Sequence, residues 1–79
     1  MKYVYILESL AEPERFYVGG TNDLRDRLKR HNAGAVTHTA KYKPWRVKTY
    51  LGFSDDERAV DLERYLKTAS GIAFAKKRF

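Results

Sequence analysis

Two short runs crowded with aromatic and β-branched residues, Lys2–Glu8 and Phe16–Gly19, stand one polar loop apart near the start of the chain. Such runs form strands. Neighbouring strands on a short connection pair antiparallel, so the chain opens with a hairpin whose loop is Leu10–Arg15, with Pro13 inside it. Side chains alternate along a strand, which puts Tyr3 and Tyr5 on one face of the first strand and Tyr17 and Gly19 on one face of the second. A hairpin centred near Ala11 sets Tyr5 directly opposite Tyr17, and opposed residues point to the same side.

The segments after the hairpin have the period of helices. Gly19–Asp23 is a turn into a helix, with Thr21 or Asn22 as the expected N-cap. That helix runs to about Asn32, and Gly34 is a suitable stop. Leu24, Arg27, Leu28 and His31 fall at i, i+3, i+4 and i+7, the spacing of one buried stripe, while Arg25, Asp26, Lys29 and Arg30 take the wet side. Ala33–Pro44 is a polar loop. Trp45–Phe53 alternates as a third strand. Ser54 and Glu57 fit a capping box for a helix over roughly Asp55–Thr68, whose stripe is Ala59, Leu62, Glu63 and Leu66. A break at Ser70–Gly71 precedes a short terminal helix over Ile72–Arg78. The simplest fold for this order is α/β of the α+β type: a three-stranded antiparallel sheet flanked by helices, as a single domain over residues 1–79.

Composition limits what this domain does. A chain of 79 residues buries only about 60% of its unfolded surface, so its core must be compact. It has no cysteine, which excludes disulfides and thiolate metal sites and leaves oxygen and imidazole as ligands. That suits a reducing, cytoplasmic setting. Met1–Leu10 carries Lys2 and Glu8 and lacks the apolar stretch of a signal peptide. No run reaches the ~18 apolar residues of a membrane span. The formal net charge is +6, from 16 Lys and Arg against 10 Asp and Glu. That excess favours a polyanionic partner, nucleic acid above all. The charges cluster, and Lys29, Arg30, Lys41, Lys43, Lys76, Lys77 and Arg78 are candidate phosphate contacts.

Arg27, His31 and Glu63 occupy buried stripes, and burying an isolated charge costs several kcal/mol unless it is paired or holds a metal. One explanation is plain architecture: Arg27 and Glu63 form an ion pair with His31 at its edge. The other is chemistry. Together with the hairpin tyrosines, the set holds a cation suited to phosphate, a carboxylate suited to a hard metal and groups able to move protons. Those are the requirements of phosphodiester cleavage, and they call for Tyr5, Tyr17, Arg27, His31 and Glu63 to share one concave surface. Other residues have ordinary roles. Trp45 and Phe53 are core or strand aromatics, His38 is a loop histidine, and Tyr42 is divided between packing and base stacking. No cage of several His or Asp residues suggests a structural metal.

Tyr3-Val4-Tyr5, then Tyr17-Val18-Gly19, then Thr21-Asn22-Asp23-Leu24 with Arg27-Leu28 and His31-Asn32, and finally Glu63 in a later helix, resemble the GIY-YIG nuclease superfamily, most closely its small single-domain bacterial members. The likeness covers nearly the whole chain. It implies the same sheet flanked by helices and a metal-dependent endonuclease acting on nucleic acid, with DNA the favoured substrate. Tyr5 matches the tyrosine that ends the first tripeptide, and Tyr17 the one that opens the second. Arg27 matches the arginine that grips the scissile phosphate. His31 matches a position held by histidine or tyrosine. Glu63 matches the glutamate that binds one divalent metal, Mg2+ or Mn2+. Three departures stand out. The first tripeptide opens Tyr3-Val4 where the family has Gly-Ile. Gly20 stands where some members carry lysine. The terminal region offers Ala73–Ala75 where some carry asparagine. The competing function for such a chain is a basic nucleic-acid-binding module without catalysis.

Overall fold

The computed structural model describes residues 1–79. Three strands, β1 (Lys2–Ser9), β2 (Phe16–Thr21) and β3 (Trp45–Phe53), form one antiparallel sheet in the order β2-β1-β3. Three α-helices accompany it: α1 (Leu24–Asn32), α2 (Asp56–Leu66) and α3 (Ala69–Arg78). No helix is long and apolar enough to cross a membrane.

Alternation along β1 divides the core between the two faces of the sheet. Tyr5 and Leu7 point to one face, where Trp45, Leu24 and Leu28 join them under α1. Val4 and Ile6 point to the other, packing with Ala59 and Leu66 of α2 and with Ala75 and Phe79 at the α3 end. A shift of register between Ile6 and Leu7 lets β3 serve both faces. Before it, Trp45 and Val47 side with Leu7; after it, Phe53 sides with Val4. One extra residue in a strand reverses which face its later side chains meet.

The hairpin register differs from the expected one. Tyr5 stands opposite Gly19, and Tyr17 stands opposite Leu7. The offset is two residues, so Tyr5 and Tyr17 keep a common face, but they sit diagonally instead of directly opposed. The loop explains the offset: Glu14 adopts a left-handed backbone (φ 65°) and the Ser9 hydroxyl accepts from the amides of Ala11 and Glu12, so the turn is not centred on Ala11.

Helix starts are also displaced. The N-cap of α1 is Asp23, accepting from the Asp26 amide, because the Thr21 hydroxyl already bridges the backbone of Asp23. The N-cap of α2 is Asp55, not Ser54, accepting from the amides of Glu57 and Arg58. Ser70 and Gly71 break nothing: they lie in the first turn of α3, which Thr68 caps through the Gly71 amide. The stretch between α1 and β3 is less featureless than its polarity suggests. It holds a short 3-10 turn over Ala40–Tyr42 and fully buries Thr39.

Candidate active site

Two stripes read from the sequence hold in three dimensions. On α1, His31 is buried with Leu24, Arg27 and Leu28 half-buried; on α2, Ala59 and Leu66 are buried with Leu62 and Glu63 half-buried. The α1 stripe carries His31 beneath the sheet, against the tyrosines of β1 and β2. The ring centroids of Tyr5 and His31 lie 5.9 Å apart, those of Tyr17 and His31 4.9 Å, and those of Tyr5 and Tyr17 6.4 Å. Tyr5 Oη is 3.0 Å from His31 Nε2, and His31 Nδ1 is 2.8 Å from Thr39 Oγ1. The three residues of this chain are 0–1% exposed, whereas Tyr17 and Arg27 are half-buried and open to the surface.

Gly19 makes the arrangement possible. A Cβ there would stand 2.6 Å from Tyr5 Cζ and 3.1 Å from Tyr17 Cε2. Because Tyr5 is enclosed, it has nowhere to yield. We expect Gly19→Ala to lower stability by about 1–3 kcal/mol, as overpacking does, and to separate Tyr5 from His31; chemical denaturation together with the His31 ring resonances would check it.

Electrostatics keep Tyr5 and His31 neutral. Burial, helped by the like charge that a Tyr17 phenolate would bring, pushes Tyr5 up to about 12, against the opposing pull of the Arg27 guanidinium. Burial and then the same guanidinium hold His31 below its ordinary value of 6.5. The His31 shift has a sign that can be measured. A histidine that is harder to protonate folded than unfolded leaves the unfolded chain binding more protons in acid. Its contribution to stability is complete above about pH 6.5 and is lost as pH falls through the lowered folded value. Melting temperature should therefore drop on acidification from pH 7 to 5, and His31→Gln should flatten that part of the profile.

Arg27 and Glu63 do not pair. Arg27 belongs to none of the ion pairs, and Glu63 Oε2 instead meets Lys67 Nζ at 3.0 Å, one turn along α2. The architectural explanation of the two charges therefore fails. The single concave surface also needs revision, because α1 and α2 cover opposite faces of the sheet. Glu63 approaches from the α2 side, over Gly20, where a Cβ would lie 2.5 Å from its Oε1. Tyr5 and Tyr17 close on Gly19 from one side of edge strand β2, and Glu63 closes on Gly20 from the other. With no side chain at either position, the edge is only a backbone thick between them, and the Glu63 charge still acts on Tyr5.

The basic residues are also divided. Lys29, Arg30, Lys41 and Lys43 are exposed on α1 and the loop after it, although Arg30 pairs with Asp26 at 3.0 Å. Lys76, Lys77 and Arg78 end α3, on the opposite side of the sheet. Tyr42 is a packing residue, edge-on to Trp45 with Arg15 over its ring. His38 is exposed and Trp45 is buried, as expected of each. Thr39 has no counterpart among the residues picked from sequence. Its signal was indirect: a histidine in a buried stripe needs a partner for each ring nitrogen.

The family model for the GIY-YIG catalytic domain matches residues 1–77. The chain belongs to the GIY-YIG family. Nucleases of this family generally depend on a divalent metal ion. Among curated relatives, it is 37% identical to the structure-specific endonuclease subunit SLX1 homolog of Giardia intestinalis, across 77% of this chain and 18% of that protein. It is 36% identical to the structure-specific endonuclease subunit SLX1 of Candida dubliniensis, across 84% of this chain and 26% of that protein. It is 35% identical to a UPF0213 protein of Clostridium perfringens, across 85% of this chain and 71% of that protein. The chain thus spans about a quarter or less of the SLX1 relatives and most of the bacterial one.

Within the GIY-YIG frame, the donor set suits one hard cation. Glu63 offers a carboxylate at the glycine edge, and no group of three acidic, His or Cys side chains exists to cage an ion. Mg2+ fits that pattern, since it is commonly held by one or two carboxylates, with waters and substrate phosphate completing its shell.

Proposed function

We propose that this domain is a cytoplasmic endonuclease that hydrolyses phosphodiester bonds of nucleic acid, DNA by preference, with Mg2+ or Mn2+ held by Glu63. The observation that carries the proposal is Arg27: a half-buried guanidinium without a carboxylate, set beside a neutral Tyr5–His31 pair. A cation without a carboxylate in such a place is suited to receive an anion, and its planar fork matches phosphate.

The residues divide the work. Arg27 grips the scissile phosphate and offsets charge that grows on it during attack. Tyr5 stays a phenol through the neutral range, so the proton of the attacking water falls to the more open Tyr17. The water oxygen bonds to phosphorus as the Tyr17 oxygen takes its proton and releases its own to solvent, and the bond to the leaving oxygen breaks, with solvent protonating that oxygen. A divalent ion at Glu63, when bound, would lower the pKa of nearby oxygens and stabilise the leaving group. Exposed Lys29, Lys41 and Lys43 supply the sequence-independent attraction for the backbone.

Labelled single-stranded, duplex and branched DNA and RNA, incubated with Mg2+, Mn2+ or chelator, test this. Cleavage of at least one substrate is expected with metal and none with chelator, with affinity falling steeply as salt rises. Salt-dependent binding without cleavage across the whole panel would instead favour the non-catalytic binding module.

A further inference from the structure

Thr39 is the end of the buried hydrogen-bond chain and has a single proton to give. Its Oγ1 lies 3.3 Å from the Val36 carbonyl and 2.8 Å from His31 Nδ1. The carbonyl only accepts. With the hydroxyl proton directed to Val36, Thr39 must accept from His31, so Nδ1 carries the imidazole hydrogen. Nε2 is then bare and accepts from the Tyr5 hydroxyl at 3.0 Å. No buried side-chain polar atom of the protein is left without a partner. The remaining lone pairs of the Tyr5 oxygen are left for the neighbouring Arg27 guanidinium, whose charge acts on Tyr5.

We propose that Thr39 is a positioning residue that fixes the His31 tautomer, and thereby turns the Tyr5 hydroxyl so that its oxygen, not its proton, faces Arg27. The opposite tautomer would donate from Nε2 to Tyr5 and send the phenolic hydrogen toward Arg27, a donor against a donor. Thr39 thus acts on the phosphate-binding arginine through two intermediaries while remaining fully buried. Its catalytic consequence rests on the nuclease function proposed above; the tautomer does not.

The test begins with long-range 1H–15N spectra of 15N-histidine-labelled full chain at pH 7.5. Wild type should show His31 protonated at Nδ1. A wild-type spectrum with the proton on Nε2 overturns the inference before any variant is made. Thr39→Ser keeps a hydroxyl and should retain both the tautomer and a turnover close to wild type. Thr39→Val leaves Nδ1–H without an acceptor, so the His31 spectrum should change and kcat should fall about 100-fold, with KM little altered. A Thr39→Val protein with wild-type kcat, or a Thr39→Ser protein as damaged as Thr39→Val, also overturns it. Should Thr39→Val fail to fold, the wild-type spectrum and Thr39→Ser still decide. Wild type that cleaves nothing defeats the nuclease assignment and leaves the tautomer to be judged by its spectrum.

Discussion

Glu63→Ala should reduce Mg2+-dependent cleavage by about 1,000-fold or more while leaving the fold almost unchanged. A bound metal ion supplies several kcal/mol of transition-state stabilisation, and each 1.36 kcal/mol is a factor of ten. The stability cost is small because the only ion pair lost is that with Lys67, an exposed i,i+4 contact of the kind that contributes about 0.3–0.5 kcal/mol. Had Glu63 been the buried partner of Arg27, the same change would have cost about 3–5 kcal/mol. Affinity for DNA in chelator should hold or rise, since the variant removes an anion from the site. Melting temperature, binding in chelator and cleavage in Mg2+ for this one variant separate the outcomes. A wild-type cleavage rate would remove Glu63 from the site.

Arg27→Ala should lower cleavage by about 100- to 1,000-fold, the range seen when one donor to a developing negative charge is removed. It carries a second signature that does not depend on turnover. The guanidinium lowers both His31 and Tyr5. Without it, His31 becomes easier to protonate and its titration moves up toward the ordinary value, while Tyr5 becomes still harder to ionise. NMR titration of the His31 ring checks the direction. An unmoved or lowered His31 titration in this variant would mean that Arg27 does not sit where its charge reaches the pair.

How far the sequence reaches can be judged from particular residues. Period fixes which side of a helix is buried, so Leu24, Arg27, Leu28 and His31, and likewise Ala59, Leu62, Glu63 and Leu66, were legible before any coordinates. Period does not fix register, because a loop with Glu14 in a left-handed conformation consumes residues that a tight turn would not. Tyr5 therefore met Gly19 and not Tyr17. Nor does it say which sheet face a helix covers. Glu63 and Arg27 share a stripe pattern, yet their helices lie on opposite sides. Caps were misplaced by a residue or two because Thr21 and Ser54 are as capable of capping as the aspartates that do so. Thr39 lies in a segment without any period, where Thr37 and Thr39 look alike, and only the fold tells which of them meets His31.

Asn32 closes that segment from its N-terminal end. Its side chain grips the backbone of Trp45 at both ends, donating to the carbonyl at 3.1 Å and accepting from the amide at 2.5 Å, across a separation of 13 positions. An amide group here stands in for a neighbouring strand, and it clasps the root of the intervening loop. Closing a longer loop adds cost only logarithmically, and exposed Thr37 and His38 contribute nothing to the clasp. The segment is therefore a place where evolution or an engineer can exchange or lengthen sequence, provided Thr39 keeps its seat. Sequence diversity can accumulate around Thr37 and His38 without disturbing the clasp, as on an interchangeable tool head held by one fixed latch.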